Sequence, residues 1–563
     1  MNYYKELKTP FEDDLTETPY PRPQLRRDSF LSLFGEWDLY VREEREEYLG
    51  KITVPYPPES RISGISRMLK PSEKYVYRKT FLIENDFLKS RTLLHFGAVD
   101  QIARITLNGI TYPENVGGYL PFTYDVTSSV RIGENTLEVE VTDTLDNTFG
   151  YGKQTCKSSG MWYTAISGIW QEVWLESVAD KYIKSVTFTP TLERVDITVD
   201  GGLCEKTLLF DGREHNFEGD FFTLEVENPI RWTPENPHLY DIVITDGEDR
   251  VESYFALRTI DVREVNGKPR ICLNGKPYFF HGVLDQGYWS DGIFTPANER
   301  GYLFDILEMK RQGFNTLRKH IKIEPDIFYY YCDKYGMAVF QDMVNCGENS
   351  FIRDTALPTV GFKSIKREGA EKKRLESFLS DSIDTLSLLY NHPSVVYYTI
   401  FNEGWGQFDA DGVYEVLKRL DPTRIFDTAS GWFKPCESDV DSEHIYFKKI
   451  KLKCGKRPLV LSEFGGYSCR IDGHAFNTDK TYGYGKCRDT EELMKRLESV
   501  YLNEIITLID EGLSASILTQ LSDIEDEING LVTYDRQVVK TDCSRMMAIA
   551  DEINKRIIAL QGE

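Results

Sequence analysis

The sequence predicts a multidomain protein: a β jelly roll, then an immunoglobulin-like β-sandwich, then a (β/α)8 barrel. Three observations carry this. Residues 1–180 hold many short alternating strands punctuated by turn signals. Residues 181–260 hold a second β stretch long enough for one small sandwich. From 261 to 563 short apolar strands alternate with helices, which implies a parallel sheet with both faces covered.

In the first stretch Tyr75–Phe81, Thr92–Phe96, Ile102–Leu107 and Thr136–Val141 alternate or are β-branched and aromatic. Asn108-Gly109, Gly117-Gly118 and Gly133-Glu134-Asn135 separate them. Gly168–Glu176 reads as the last strand. In the second stretch Val186–Phe188, Val195–Val199, Thr223–Val226 and Leu239–Thr245 are strands. Trp232-Thr233-Pro234-Glu235-Asn236-Pro237 interrupts them, since proline cannot sit in a central strand.

In the third stretch eight strand candidates occur: Tyr278–Val283, Phe314–Arg318, Met337–Asp342, Val395–Asn402, Ile425–Thr428, His444–Phe447, Leu459–Glu463 and Ser514–Gln520. Helices join them. Arg300–Arg311 sets Leu303, Ile306, Leu307 and Lys310 at helical spacing. Glu324–Tyr335 has Pro325 near its start and stops at Gly336. Lys373–Tyr390 and Thr490–Gly512 each carry one apolar face.

The chain of 563 residues is 41% hydrophobic, 28% charged and 13% aromatic, so it can bury several cores and is not disordered. Its formal charge of −23 works against nucleic acid and anionic membranes as partners. The ten cysteines form no CxxC pair, which removes the zinc and redox patterns and favours a reduced protein. Met1–Leu15 is polar and acidic rather than signal-like, and no 18-residue apolar run occurs. A cytoplasmic location is the expectation. Composition and charge suit a monomer and a homo-oligomer equally.

Barrel enzymes work at the C-terminal ends of their strands. Candidate strand four ends in Asn402-Glu403-Gly404-Trp405 and strand seven in Glu463-Phe464-Gly465-Gly466. One glutamate at a strand end is ordinarily just solvated. Two facing carboxylates are the minimum apparatus for glycoside hydrolysis: one attacks the anomeric carbon or activates water, the other protonates the leaving oxygen.

These residues resemble glycoside hydrolase family 2, which contains β-galactosidases, β-glucuronidases and β-mannosidases. The resemblance runs through Gly35-Glu36-Trp37-Asp38, Phe96-Gly97-Ala98-Val99-Asp100, Leu107-Asn108-Gly109, Gly117-Gly118-Tyr119 and Ser167-Gly168-Ile169-Trp170. It continues through Trp232–Tyr240 and is most specific at Asn391-His392-Pro393-Ser394 leading into Asn402-Glu403. It implies a retaining exo-glycosidase acting on terminal β-linked sugars, with Glu403 as acid/base and Glu463 as nucleophile. It implies that Asn402 binds the sugar 2-hydroxyl, that Arg318 orients the nucleophile, and that Tyr446 hydrogen-bonds it.

Asp342 and His444 lie at strand ends nearby. Asp285 and Trp289 follow strand one, and Trp405 and Trp432 are aromatic platforms for a sugar face. The expected partner is an oligosaccharide or glycoside. No organic cofactor is required. Mg²⁺ or Na⁺ binding occurs among the family's β-galactosidases, but no metal ligand set is assigned here.

β-Galactosidase is the default activity. Three departures bear on it. Gly160, where bacterial β-galactosidases have an aspartate, precedes Met161-Trp162. The segments Thr519–Asp523 and Asn529–Leu531 lack the Asn-x-Lys of β-glucuronidases. Strand two reads Arg318-Lys319-His320. With Leu284–Trp289 and Ile524–Glu527, these resemble a less characterised branch. The alternatives are an inactive carbohydrate-binding protein, a transglycosylase, or a hydrolase for mannose, arabinose, galactofuranose or glucuronic acid.

Overall fold

In the computed structural model, which describes residues 6–347, 357 and 372–562, eight parallel strands form the barrel. They are β1 (Phe280–Asp285), β2 (Thr316–Lys319), β3 (Ala338–Asp342), β4 (Val395–Phe401), β5 (Ile425–Ala429), β6 (Asp441–Ile445), β7 (Leu459–Gly465) and β8 (Leu513–Thr519). The ladder runs β5-β4-β3-β2-β1-β8-β7-β6 and is open between β5 and β6. There the segment after β5 closes the seam, with Asp439 N–H donating to Phe426 O at 3.0 Å. Every residue of β1, β2, β3, β4, β5, β7 and β8 is buried. That is why these strands read as apolar runs without alternation.

Inside the barrel Phe280, Phe340, Tyr397, Val460 and Ile517 pack together, and Phe340 stacks on Tyr397 with centroids 4.1 Å apart. The hairpin Ile260–Val265 and Lys268–Leu273 adds Ile260 and Ile271 to this interior from below. Helices cover the outside: α1 (Arg300–Arg311), α2 (Asp326–Tyr335), α3 (Lys372–Leu389), α4 (Ala410–Leu420), α5 (Thr490–Val500), α6 (Ile506–Asp510) and α7 (Cys543–Gly562). A π-turn, Tyr501–Ile505, joins α5 to α6, so the expected long helix carries a bulge. Pro325 caps α2 from outside, and Gly336, at φ 73°, ends it in the left-handed conformation that glycine adopts without strain.

Two local expectations need correction. In α1 the buried face is Tyr302, Ile306 and Met309, while Leu307 is exposed. The sequence offers two overlapping apolar stripes, and the aromatic Tyr302 decides between them. β6 starts and ends earlier than expected: Tyr446 follows the strand and Phe447 is exposed.

Ahead of the barrel, an antiparallel sheet built around Gly35–Arg42, Lys74–Ile83, Gly133–Thr142 and Ile102–Leu107 faces one built around Val173–Val178, Arg91–Phe96 and Phe122–Asp125. Trp37, Tyr77, Phe96, Val139 and Leu175 fill the space between. A second pair of sheets follows, Ile183–Pro190 with Arg194–Gly201 and Phe221–Glu225, against Glu205–Phe210 with Tyr240–Thr245 and Arg250–Phe255. Its core is Phe188, Ile197, Leu208, Ile242 and Phe255. All ten cysteines are unpaired. Among the described residues no helix is long and apolar enough to cross a membrane.

The first sandwich docks on the barrel mouth. Ala98, Tyr119, Tyr163, Ile166 and Trp170 pack against Tyr288, Phe294, Ile323, Ile524 and Tyr534 of the barrel loops. Trp170 Nε1 donates to Gly118 O at 2.8 Å. A side chain at Gly118 would meet Asp100 Oδ1 at 2.3 Å, so anything larger than glycine would displace the Asp100 carboxylate. These are the motifs that carry the family resemblance in the sequence, and they build an interdomain seam.

Candidate active site

Both glutamates sit where the strands depart from regular geometry. β4 ends at Phe401, and a tight turn follows at once, with Glu403 at φ 49° and Gly404 at φ 66°. A left-handed non-glycine residue costs energy that the surrounding packing must over-determine. On β7 the register steps from Glu443↔Leu461 to His444↔Glu463, which leaves Ser462 as an extra residue. Such bulges recur at barrel rims, where they re-aim a side chain. The bulge also frees the Ser462 carbonyl, which accepts from Arg318 at 3.0 Å.

The two carboxylates meet across the mouth. Glu403, His444 and Glu463 each bring a ligating atom within 4.8 Å of the other two. All three are buried, Glu403 at 6% and Glu463 at 5% exposure. His444 Nδ1 lies 3.0 Å from Glu403 Oε1, and its Nε2 lies 3.6 Å from Glu463 Oε1. Arg318 Nη1 lies 3.5 Å from the same Nε2, so the imidazole sits between the two acids and the guanidinium.

Arg318, fully buried on β2, ties the mouth together. It donates to Asp342 Oδ1 at 3.0 Å, Glu463 Oε1 at 2.9 Å, Asn402 Oδ1 at 2.8 Å and Ser430 Oγ at 3.2 Å. One planar guanidinium therefore spans β2, β3, β7 and the ends of β4 and β5, a geometry that an ammonium could not reproduce. Asn402 Oδ1 also accepts from Ser430 Oγ at 3.0 Å, so its carbonyl side is taken and its NH₂ is the remaining donor. Tyr446 donates to Glu463 Oε2 and stacks on Tyr484, centroids 4.0 Å apart. Gly466 permits that stack, since a Cβ would lie 2.3 Å from the Tyr484 ring.

The electrostatics separate the two acids. Burial raises the Glu403 carboxyl above its ordinary value, and the Glu463 charge adds to this; the His444 hydrogen bond works against both. Burial would also raise Glu463, but His444, Arg318, His320 and the Tyr446 hydrogen bond outweigh it and hold it down to about 2. His320, hydrogen-bonded through Nδ1 to Asp342 Oδ2 at 2.7 Å, is pushed by burial down to about 4 and is a neutral imidazole at neutral pH. The arrangement thus pairs a carboxyl that holds its proton more tightly than usual with one that releases it more readily.

The remaining sequence candidates divide. Trp432 packs edge-on to His444 at 5.6 Å, and Trp405 lies 6.4 Å from His320, both at the mouth. Asp342 lies beneath Arg318 and His320 at zero exposure, so it positions them rather than meeting a ligand. Asp285 and Trp289 do not reach the carboxylates. Asp285 is held by Lys319 at 2.7 Å and by Gly287 N–H, and Trp289 is a core residue with Arg536 over its ring at 4.2 Å. Asp285 is the last residue of β1, and Trp289 lies in the loop after it, packed with Tyr302 and Ile306 of α1.

Sequence reasoning missed residues from elsewhere in the chain. Lys153 and Trp162 of the first sandwich reach the mouth: Trp162 lies 5.3 Å from Trp405, and Lys153 Nζ lies 5.0 Å from the Trp405 ring centre. Glu527, Asn529 and Gln520 after β8, Ser430 after β5 and Tyr484 also contribute. Among the described residues Glu403, His444 and Glu463 are the one group compact enough to hold a cation. Arg318 and Tyr446 already occupy both Glu463 oxygens, so the set fits an acid pair better than a metal centre.

Two sandwiches leading into a barrel whose mouth holds paired glutamates define a glycosidase-type architecture. Three family models match in sequence order. They are the family 2 galactose-binding domain-like model (65–166), the family 2 glycosyl hydrolase model (179–258) and the family 2 TIM-barrel model (264–454). The chain belongs to glycoside hydrolase family 2.

A β-galactosidase of Vibrio vulnificus is 24% identical over 92% of this chain and 56% of its own length. A putative β-glucuronidase of Formosa agariphila is 25% identical over 63% of this chain and 34% of its own. The chain spans about half the length, or less, of the curated relatives it matches. Among solved structures, a β-D-glucuronidase from Dictyoglomus thermophilum superposes with TM-score 0.73 at 20% identity, covering 95% of this chain and 98% of that one. A β-galacturonidase from Eisenbergiella tayi gives 0.68 at 18%, covering 95% and 99%. These superpositions establish the shared fold.

Proposed function

We propose that the protein is a retaining, exo-acting glycoside hydrolase that removes terminal β-linked sugars, β-galactosidase-like in its default substrate. The observation that carries this is the approach of the Glu403 and Glu463 carboxyl groups to within 4.8 Å. Retaining enzymes hold their acid pair about 5 Å apart, and inverting enzymes leave room for a water between them.

In this reading a Glu463 oxygen attacks the anomeric carbon. The C–O bond to the leaving group breaks as Glu403 delivers its proton to the departing oxygen. A covalent glycosyl ester remains, and the Glu463 charge is gone. Glu403, now more acidic because that like charge has been neutralised, accepts a proton from water while the water oxygen attacks the anomeric carbon. The ester bond breaks and Glu463 is again a carboxylate. The Asn402 NH₂ would hold the 2-hydroxyl, a contact that strengthens in the transition state.

The docked first sandwich supports the exo mode. Met161 and Trp162 pack against Ile321 and Trp405 and wall one side of the mouth.

Release of nitrophenol from a panel of β- and α-linked aryl glycosides tests this, with Glu463→Ala as the blank. The expected result is release from a β-glycoside that is lost by about 10⁵-fold or more in the variant. Release from α-glycosides alone, or turnover unchanged in Glu463→Ala, would refute it.

A further inference from the structure

Lys153 is buried at 6% exposure, yet its Nζ forms no hydrogen bond or ion pair with any described residue. It sits among three aromatic rings, 5.0 Å from the Trp405 centre, 5.6 Å from Trp162 and 6.0 Å from Tyr163. Cation–π attraction offsets part of the cost of burying the charge, but three N–H donors remain unused, and Nζ is not sealed from open space. The carboxylates that act on it through space are, in order, Glu527, Glu463 and Glu403. The ammonium thus stands beside Trp405 at the mouth, unpaired and within electrostatic reach of both glutamates of the acid pair.

Glu527 faces the same space and is rigidly held. Its Oε2 accepts from Tyr163 and its Oε1 from Asn529 Nδ2 at 2.9 Å. Asn529 Oδ1 accepts from Gln520 Nε2 at 2.9 Å, and Gln520 Oε1 from Gln286 Nε2 at 2.8 Å. This chain uses residues from the two segments, Leu284–Trp289 and Ile524–Glu527, whose role the acid pair leaves unexplained. It fixes a carboxylate that still has one free lone pair on each oxygen.

We infer that Lys153 and Glu527 form a clamp on the terminal sugar, in which one hydroxyl accepts from Lys153 Nζ and donates to Glu527, so that the site takes neutral glycones and rejects uronic acids. A hydroxyl is the group that can satisfy a cationic donor and an anionic acceptor at once. A sugar carboxylate would satisfy Lys153 but would place its charge against Glu527 and Glu463 in a buried site. The inference rests on the glycosidase reading and adds the residues that select the glycone.

The test is steady-state kinetics on the best neutral aryl β-glycoside, on its 3-, 4- and 6-deoxy analogues and on the matching uronide, with wild type, Lys153→Met and Glu527→Gln. Wild type should lose roughly 10²-fold or more in kcat/KM on one deoxy analogue, because a charged pair is left without its partner. Lys153→Met should lose a similar factor on the parent glycoside and little more on that same analogue, since the two changes remove one interaction. Glu527→Gln should narrow the preference for the neutral glycoside over the uronide.

Losses that simply multiply, deoxy analogues all hydrolysed within a few-fold of the parent, or a uronide turned over as fast as the neutral sugar would overturn the clamp while leaving the hydrolase reading in place. Silence of the wild type on every glycoside would remove both.

Discussion

His444 joins the two acids, and its removal has a signed consequence. It lowers both carboxyl groups, Glu403 through a hydrogen bond and Glu463 electrostatically. His444→Phe should therefore move both limbs of the kcat/KM pH profile to higher pH, because each carboxyl then holds its proton more tightly. A shift of one limb alone would mean that His444 serves only one acid. Glu403→Ala should cost about 10²- to 10⁴-fold on glycosides with poor leaving groups and much less on activated aryl glycosides, with azide restoring rate on the latter. Equal losses on both substrate types would argue against Glu403 as the acid. At this scale the sequence is a good guide to Glu403, Glu463, Asn402 and Arg318, because each ends a strand or lies within two residues of one. It is silent on Lys153 and Glu527. They come from a sandwich loop and a barrel loop more than 370 residues apart, and only the docking of the two domains brings them together.

The elements owe their catalytic geometry to irregularities that periodicity does not report. The barrel strands were legible as apolar runs, and their order follows from the alternation with helices. The bulge at Ser462 and the left-handed Glu403 were not legible: Gly404, Gly465 and Gly466 mark a turn beside each, but not which residue takes the irregular geometry. They appear only when the ladder on either side fixes the register. Arg318 then links the irregular strand ends. Arg318→Lys should lower kcat/KM by roughly 10²-fold, because an ammonium cannot replace five directed hydrogen bonds. It should also raise the acid limb of the pH profile, because the shorter lysine holds its charge farther from Glu463 and gives up the directed hydrogen bond. An unchanged acid limb would show that Arg318 only supports packing.

At the scale of the whole molecule, the most specific sequence motif lies away from the chemistry. Asn391-His392-Pro393-Ser394 precedes β4, at the N-terminal face of the barrel, the end associated with stability. Asn391 exchanges hydrogen bonds with Val186 O and Phe188 N of the second sandwich. His392 sits between Asp333 at 2.6 Å and Asp326 at 3.1 Å, and Tyr254 of the same sandwich donates to Asp333 at 2.8 Å. Burial lowers His392, but the two aspartates outweigh it and raise it to about 9. A histidine raised in the folded state adds stability that is full below its unfolded value of about 6.5 and fades as pH passes about 9. His392→Gln should therefore lower Tm most below pH 6.5, with the gap narrowing towards pH 9, while kcat/KM of the folded protein stays near wild type. A gap independent of pH would mean that His392 is buried uncharged.

The central claim is that Glu463 forms a covalent bond to the sugar. A 2-deoxy-2-fluoro aryl β-glycoside of the preferred sugar slows both steps and lets the intermediate accumulate, and mass spectrometry of the peptic digest then locates it. The account predicts one fluoroglycosyl group on the peptide containing Glu463, with none on Glu463→Ala. A label on another residue, or full turnover of the substrate with no label at any time, would contradict it.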